Sequence, residues 1–157
     1  MNTITVYLMM GLPGSGKSSW CRTHHPDLPV VSRDLIRHEL GYTSSPDEKA
    51  VLPREDEAVV TKVEYGRMLH LLKEGRGFIV DDTNTNAFYR IPLVSWLREH
   101  GAKVVGVFID TPPEVCAARR SGQIPPEATA RMHERHTPFG EYEVDEAIIV
   151  RYQNHTV

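Results

Sequence analysis

Several things are scarce in this chain of 157 residues. It has two cysteines, Cys21 and Cys116, far apart and in no C-x-x-C pair. That offers neither a zinc framework nor a dense disulfide scaffold, and both residues read as small buried thiols. No run approaches the ~18–20 consecutive apolar residues that a membrane helix needs. The apolar N-terminal stretch is broken by Gly11 and Pro13 and lacks the basic start and small-residue cleavage site of a signal peptide. A cytoplasmic protein without a membrane partner is expected. Basic charge is not in excess: 18 Lys and Arg stand against 21 Asp and Glu, a net charge of −3. This excludes wholesale coating of nucleic acid by a basic surface and leaves only a local basic groove. Internal repeats, low-complexity tracts and linkers are also missing.

What remains is ordinary for a folded chain: 40% hydrophobic and 25% charged residues, with 11 Gly and 11 Pro. The length is that of one domain, expected over residues 1–157, and such a chain buries enough surface to fold without cross-links.

Periodicity divides the chain into alternating strands and helices. Residues 3–10, TITVYLMM, form a continuous apolar run suited to a strand buried on both faces. A helix is predicted from Ser18 to about His25, a short strand over 28–32, and a short helix from Arg33 to Leu40. Residues 41–53 read as a surface loop. From Arg54 to Glu74 the spacing of Ala58, Val59, Val63, Met68, Leu69 and Leu72 predicts an amphipathic helix. Strands follow at 77–82, 102–110 and 147–152, with helices at 86–100, across PPEVCAARRS (112–121) and at about 127–136. The alternation predicts an α/β domain with a five-stranded, mostly parallel sheet flanked by helices.

The segment Gly11-Leu12-Pro13-Gly14-Ser15-Gly16-Lys17-Ser18, followed by Ser19, fits G-x-x-x-x-G-K-[ST] between a buried strand and a helix. Glycines at 11, 14 and 16 permit a tight loop whose N–H groups converge on an anion. Lys17 can reach the β- and γ-phosphates of ATP, Ser18 can ligate Mg²⁺, and the helix start adds its positive end. A guanine-reading N-K-x-D is missing; the nearest match, Thr61-Lys62-Val63-Glu64, falls inside a predicted helix. A mechanical ATPase would normally be larger. A small phosphotransferase is the economical reading.

Such an enzyme needs a carboxylate at the attacking hydroxyl and cations on the moving phosphoryl group. Asp34, with Arg33 before it and Arg37 one turn later, follows the second strand at the edge where α/β sheets bind ligands. Asp81, Asp82 and Asn84 follow the third strand at the same edge; Asp81 is a Mg²⁺ candidate, Asp82 and Asn84 are substrate-binding candidates, and Asn84, Thr85 or Asn86 could cap the next helix. Arg119 and Arg120, beside the loop SGQIPP (121–126), suit a lid that closes on ATP.

Taken in order, GLPGSGKSSW (11–20), SRDLIR (32–37), DDTNTN (81–86), VFIDTPPEVCAARR (107–120) and a late helix containing Met132 resemble the polynucleotide 5′-hydroxyl kinases of bacteriophages and bacterial RNA-repair enzymes. The resemblance implies an adenylate-kinase-like P-loop domain that transfers the γ-phosphate of ATP to a nucleic-acid 5′ end. It implies that Lys17 and Ser18 hold ATP and Mg²⁺, that Asp34 is the general base, that Arg37 contacts an acceptor phosphate and that Asp82 positions Arg37. The lid departs from the pattern: a second arginine four residues after the match to Arg119 is replaced by Gln123, leaving Arg120 as substitute or a different grip on ATP. The phosphatase or ligase modules fused to many relatives are also missing.

The same core serves other acceptors, so a hydroxymethylated base, a nucleoside or another small metabolite stays open, as does a nucleotide-dependent binding module with little turnover. A nucleic-acid grip would use Arg22, His24 and His25, then Arg33, Arg37, His38, Lys49 and Arg54. Tyr42 and Tyr65 are stacking candidates that read first as packing residues. His133 and His136 read as a polar helix face, and the tail from His136 to Tyr142 is a candidate cover for the substrate cleft. Relatives often assemble, so a homo-oligomer is possible.

Overall fold

A computed structural model describes residues 3–46, 48 and 50–153; Lys49, among the candidate grip residues, lies outside them. The apolar runs become a five-stranded sheet of β1 (Ile4–Met10), β2 (Val30–Val31), β3 (Phe78–Val80), β4 (Ala102–Asp110) and β5 (Glu146–Arg151). Its order is β2-β3-β1-β4-β5. Every pairing is parallel, so the sheet is wholly rather than mostly parallel. β1 lies at the centre, with Val6 opposite Phe78 on one side and Val104 on the other. That position explains its unbroken hydrophobicity: Val6, Leu8, Met9 and Met10 are all fully buried.

Among the described residues six helices flank the sheet: α1 (Lys17–His24), α2 (Arg33–Glu39), α3 (Arg54–Lys73), α4 (Ala87–Glu99), α5 (Pro113–Arg119) and α6 (Pro126–Glu134). One face of the sheet packs Val6, Leu8, Phe78 and Val80 against Val60, Met68 and Leu72 of α3 and Leu93 and Leu97 of α4. The other face packs Met9, Ile79, Val105 and Val107 against Cys21 and Trp20 of α1. Alternate strand residues supply the two faces, as the pleat requires.

Two expectations need correction. The strand expected over 28–32 pairs only at Val30 and Val31: it is an edge strand, and Pro29 enters only as an acceptor, from Ile79 N at 2.9 Å. The buried stripe of α3 is Val60, Glu64, Met68, Leu71 and Leu72, whereas Ala58 and Val59 are exposed. Met68 and Leu72 are buried as expected and Val63 packs against the core, but the expected stripe skipped Glu64, a carboxylate at an inward position.

After α6 the chain packs on the domain. Phe139 covers Gly106 of β4 so closely that a Cβ there would lie 2.6 Å from the ring. Arg90 of α4, fully buried, grips Glu143 through Nε (2.6 Å) and Nη2 (3.0 Å) and donates to the carbonyls of Thr137 and Pro138 at 2.7 and 3.0 Å. The tail is thereby fastened along β4 and α4.

Candidate active site

The loop between β1 and α1 is stitched in place from several sides. Gly11 N donates to Thr83 O at 3.0 Å, Thr111 Oγ1 to Ser15 O at 2.7 Å, and Arg119 Nη1 to Gly14 O at 3.0 Å. Gly14 (φ +83°) and Gly16 (φ +104°, the residue before α1) need the left-handed backbone that glycine adopts without strain. A Cβ on Gly14 would also come within 2.8 Å of Cys116 O. Pro13 and Ser15 are buried beneath the loop, and Ser19 Oγ accepts from Arg22 Nη2 at 3.3 Å. Lys17, 9% exposed, turns its Nζ back to Gly11 O and Leu12 O, both at 3.1 Å. A cation curled over a glycine loop at a helix start is the arrangement that suits a phosphate cradle.

Ser18 Oγ donates to Asp81 Oδ2 at 2.7 Å, so a hydroxyl and a carboxylate meet beside the cradle. This hard-oxygen pair fits Mg²⁺, which takes one or two protein oxygens beside phosphates and water. Among the described residues there is no cluster of three or more His, Cys, Asp or Glu able to hold a metal by itself.

The main cleft, about 540 Å³, is lined by Lys17, Ser18, Asp34, Asp81, Asp82 and Arg120, bringing together residues from four separate segments. A second cavity of about 360 Å³ shares Asp34 and Asp82 with it and adds Arg33, Arg37 and a largely apolar wall of Val51, Ile124, Ala128 and Met132. A third, about 530 Å³, leads from Arg37, Asp82 and Thr83 toward Tyr65, Asn86 and Tyr89. Asp82 and Thr83 line all three.

α2 presents Asp34 and Arg37 on one side, joined at 2.9 Å between Arg37 Nη1 and Asp34 Oδ1. The carboxylate that orients Arg37 from outside its helix is Glu57 of α3, not Asp82 as the resemblance implied. Arg37 Nε and Nη2 each reach Glu57 at 3.0 Å. Asp82 Oδ1 instead accepts from Arg33 N at 2.9 Å, anchoring the start of α2. Arg33, expected at the substrate, is drawn into the protein: it binds Glu57 Oε2 at 2.7 Å, Thr61 Oγ1 at 3.0 Å and Glu64 Oε1 at 3.5 Å. Asn84 adopts a left-handed backbone (φ 51°) and donates from Nδ2 to Met9 O at 2.7 Å, bracing the loop against β1. Asn86 is the cap of α4, accepting from Phe88 N at 3.0 Å.

The two lid arginines separate. Arg120 lines the main cleft, and its Nη1 donates to Gln123 Oε1 at 2.9 Å, so the residue that breaks the family pattern orients it. Arg119 lies over the Tyr152 ring, 6.0 Å from its centroid.

Sequence reasoning missed Glu57, Glu64, Thr83 and Arg90. Burial pushes Glu64 up to about 9, helped by the nearby Asp82 carboxylate and only partly opposed by Arg33. Its Oε2 is buried with no hydrogen-bond partner, so the neutral carboxyl is the form that suits this position. Glu57 goes the other way: burial would raise it, but the Arg37 and Arg33 guanidiniums outweigh burial and hold it below the usual carboxylate range. Among the grip candidates, His25 stacks on Tyr7, with ring centroids 4.0 Å apart, and burial lowers its pKa. Tyr65 packs edge-on against Trp96 at 4.8 Å, and Tyr42 Oη donates to Asp56 at 3.4 Å, so both serve packing. His136 stacks on Phe108 at 4.8 Å.

The model of the AAA domain family AAA_33 matches residues 6–139, which include the cradle, both acidic segments and the lid. The chain belongs to this family. Its fold is the P-loop α/β fold, with the five-stranded parallel core described above. The adenylate kinase of Thermococcus kodakarensis (strain ATCC BAA-918 / JCM 12380 / KOD1) is 34% identical over 140 residues, covering 83% of this chain and 62% of that protein. The chain thus spans less than two thirds of that curated relative. A chain in the structure of the Pnkp1/Rnl/Hen1 RNA repair complex superimposes with a TM-score of 0.73 at 24% identity, over 86% of this chain and 44% of that one. The Mycobacterium tuberculosis APS kinase CysC, solved with AMPPNP and APS, gives 0.59 at 21% identity, over 95% and 90%. At these identities the structural likeness is one of fold. Among the described residues, no helix of this AAA-family domain is long and apolar enough to cross a membrane.

Proposed function

We propose that this chain is an ATP- and Mg²⁺-dependent kinase that phosphorylates the 5′-hydroxyl of a DNA or RNA strand. One observation carries the reading: Arg37, fixed between Asp34 and Glu57, faces a cavity whose other wall is apolar. Phosphate at one end and a flat apolar slot at the other suit a terminal nucleotide, with Arg37 on its 3′-phosphate and the base against Ile124, Ala128 and Met132.

The chain's own groups then divide the work. Asp34, at the junction of the first two cavities, accepts the 5′-hydroxyl proton as that oxygen bonds to the γ-phosphorus and the bond to the β-phosphate oxygen breaks. Lys17 releases the Gly11 and Leu12 carbonyls to bind phosphate oxygens, and Arg120 adds a second cation. Bound Mg²⁺, held by Ser18 and Asp81, supplies charge compensation on the β- and γ-phosphates.

A second reading, a nucleotide or other small-molecule acceptor, is favoured by the 34% identity to an adenylate kinase. A panel of labelled-phosphate transfers onto 5′-hydroxyl oligonucleotides, hydroxymethylated duplexes, nucleosides and AMP separates the two. Label on AMP or a nucleoside with none on oligonucleotides would sink the strand-end reading. Asp34→Ala should abolish transfer while ATP still binds; undiminished transfer would remove Asp34 as the base.

A further inference from the structure

Phe88 and Tyr89 open α4 with their rings in solvent, 77% and 71% exposed. The rings stand edge to face, centroids 5.1 Å apart at 89°. One exposed aromatic is commonplace, but two adjacent ones, with Ile91 half exposed beside them, form an apolar patch that internal packing leaves uncovered. The pair lies in the first turn of α4, one residue after the Asn86 cap, at the edge of the sheet that carries the candidate site.

The patch is continuous with the acceptor side of the site. Tyr89 lines the third cavity, whose inner end is Arg37, Asp82 and Thr83. Arg37 uses three of its five N–H donors on Asp34 and Glu57, leaving two for a phosphate. A held guanidinium followed by flat, accessible rings is how proteins track a single strand without reading its sequence: the cation takes the backbone and successive bases stack. An acceptor of one nucleotide would end inside the cavity and gain nothing from the rings.

We propose that Phe88 and Tyr89 are a stacking platform for the bases on the 3′ side of the terminal nucleotide, guiding a single-stranded acceptor out along the third cavity. The platform rests on the strand-end reading above. It extends that reading to the substrate's length and strandedness, with a preference for single strands of several nucleotides.

The test compares two acceptors, a nucleoside 3′-monophosphate and a 5′-hydroxyl oligonucleotide of about six nucleotides. In Phe88→Ala/Tyr89→Ala, KM for the oligonucleotide should rise about tenfold while kcat, KM for ATP and KM for the monophosphate stay unchanged. An unshifted melting temperature would exclude a folding defect, as expected for two exposed side chains, and Phe88→Tyr should keep the native KM. A native KM for the oligonucleotide in the double variant overturns the platform and leaves the strand-end reading standing. Absence of transfer by the native protein onto either acceptor overturns both.

Discussion

Glu57 grips Arg37 with both carboxylate oxygens, each bond 3.0 Å long, and takes Arg33 on the same Oε2 at 2.7 Å. One side chain of α3 therefore orients two arginines of α2, and Arg37 reaches the acceptor cavity already aimed. Glu57→Ala should lower kcat/KM for a phosphate-bearing acceptor by about tenfold to a hundredfold and leave KM for ATP unchanged. A merely structural role would raise KM for ATP as well. Glu57→Asp, which keeps the charge, should recover part of the loss. Because Glu57 is held below its ordinary value, its contribution to stability is complete above about pH 4.5 and lost as pH falls through the depressed value.

The lid gives a second expectation. Arg120 stands in the main cleft and is oriented by Gln123, while Arg119 sits over Tyr152 and braces Gly14. Arg120→Ala should lower kcat by about 10²–10³-fold, the scale for removing a cation that meets charge developing in the transition state. Arg119→Ala should act mainly on KM for ATP, because its bond is to the cradle. Gln123→Ala should resemble a mild form of Arg120→Ala. Steady-state kinetics with ATP and acceptor varied separately would distinguish the three, and equal kcat losses from both arginine variants would contradict this division.

Glu64 makes stability depend on pH in the opposite sense to Glu57. Its folded pKa is raised to about 9 from the ordinary glutamate value of 4.5, so the native state holds a proton that the unfolded chain releases. Its contribution is complete below the unfolded value and lost progressively as pH rises toward about 9. Glu64→Gln keeps the shape and removes the titration. Melting temperatures followed from about pH 5 to about pH 9 should fall less steeply in Glu64→Gln than in the native protein; parallel curves would mean that Glu64 is ionised in the fold.

The cradle and the strand–helix alternation were legible because local sequence dictates them. Glycines at 14 and 16 answer a backbone need at those positions, and a strand paired on both sides needs an unbroken apolar run. The partnerships of the site were less legible because they are made across elements. Nothing near residue 57 announces that α3 will pass beside α2, so Arg37 was paired with Asp82, the wrong carboxylate. Glu64 did leave a trace: the stripe from Val60 through Met68 passes through it, and a carboxylate on a core stripe marks an inward polar cluster. Asn84 looked like a substrate ligand because its type and place suited one; only the bond to Met9 O reveals a brace.

Arg90 and Glu143 join α4 to the tail through a pair whose side chains are 0% and 7% exposed. Breaking a buried pair from one side leaves a charge without its counterpart, so Glu143→Ala and Arg90→Ala should each cost about 3–5 kcal/mol. Arg90 also donates to Asn84 O at 2.9 Å, linking the tail to the loop that lines all three cavities. Replacing both residues by apolar ones, as in Arg90→Met/Glu143→Leu, should therefore cost less than the sum of the single changes. Urea midpoints for the four proteins would measure this, and full additivity would show that the two residues act separately. Transfer activity should fall in Arg90→Ala even at temperatures where that variant stays folded, since Asn84 loses its anchor beneath Thr83.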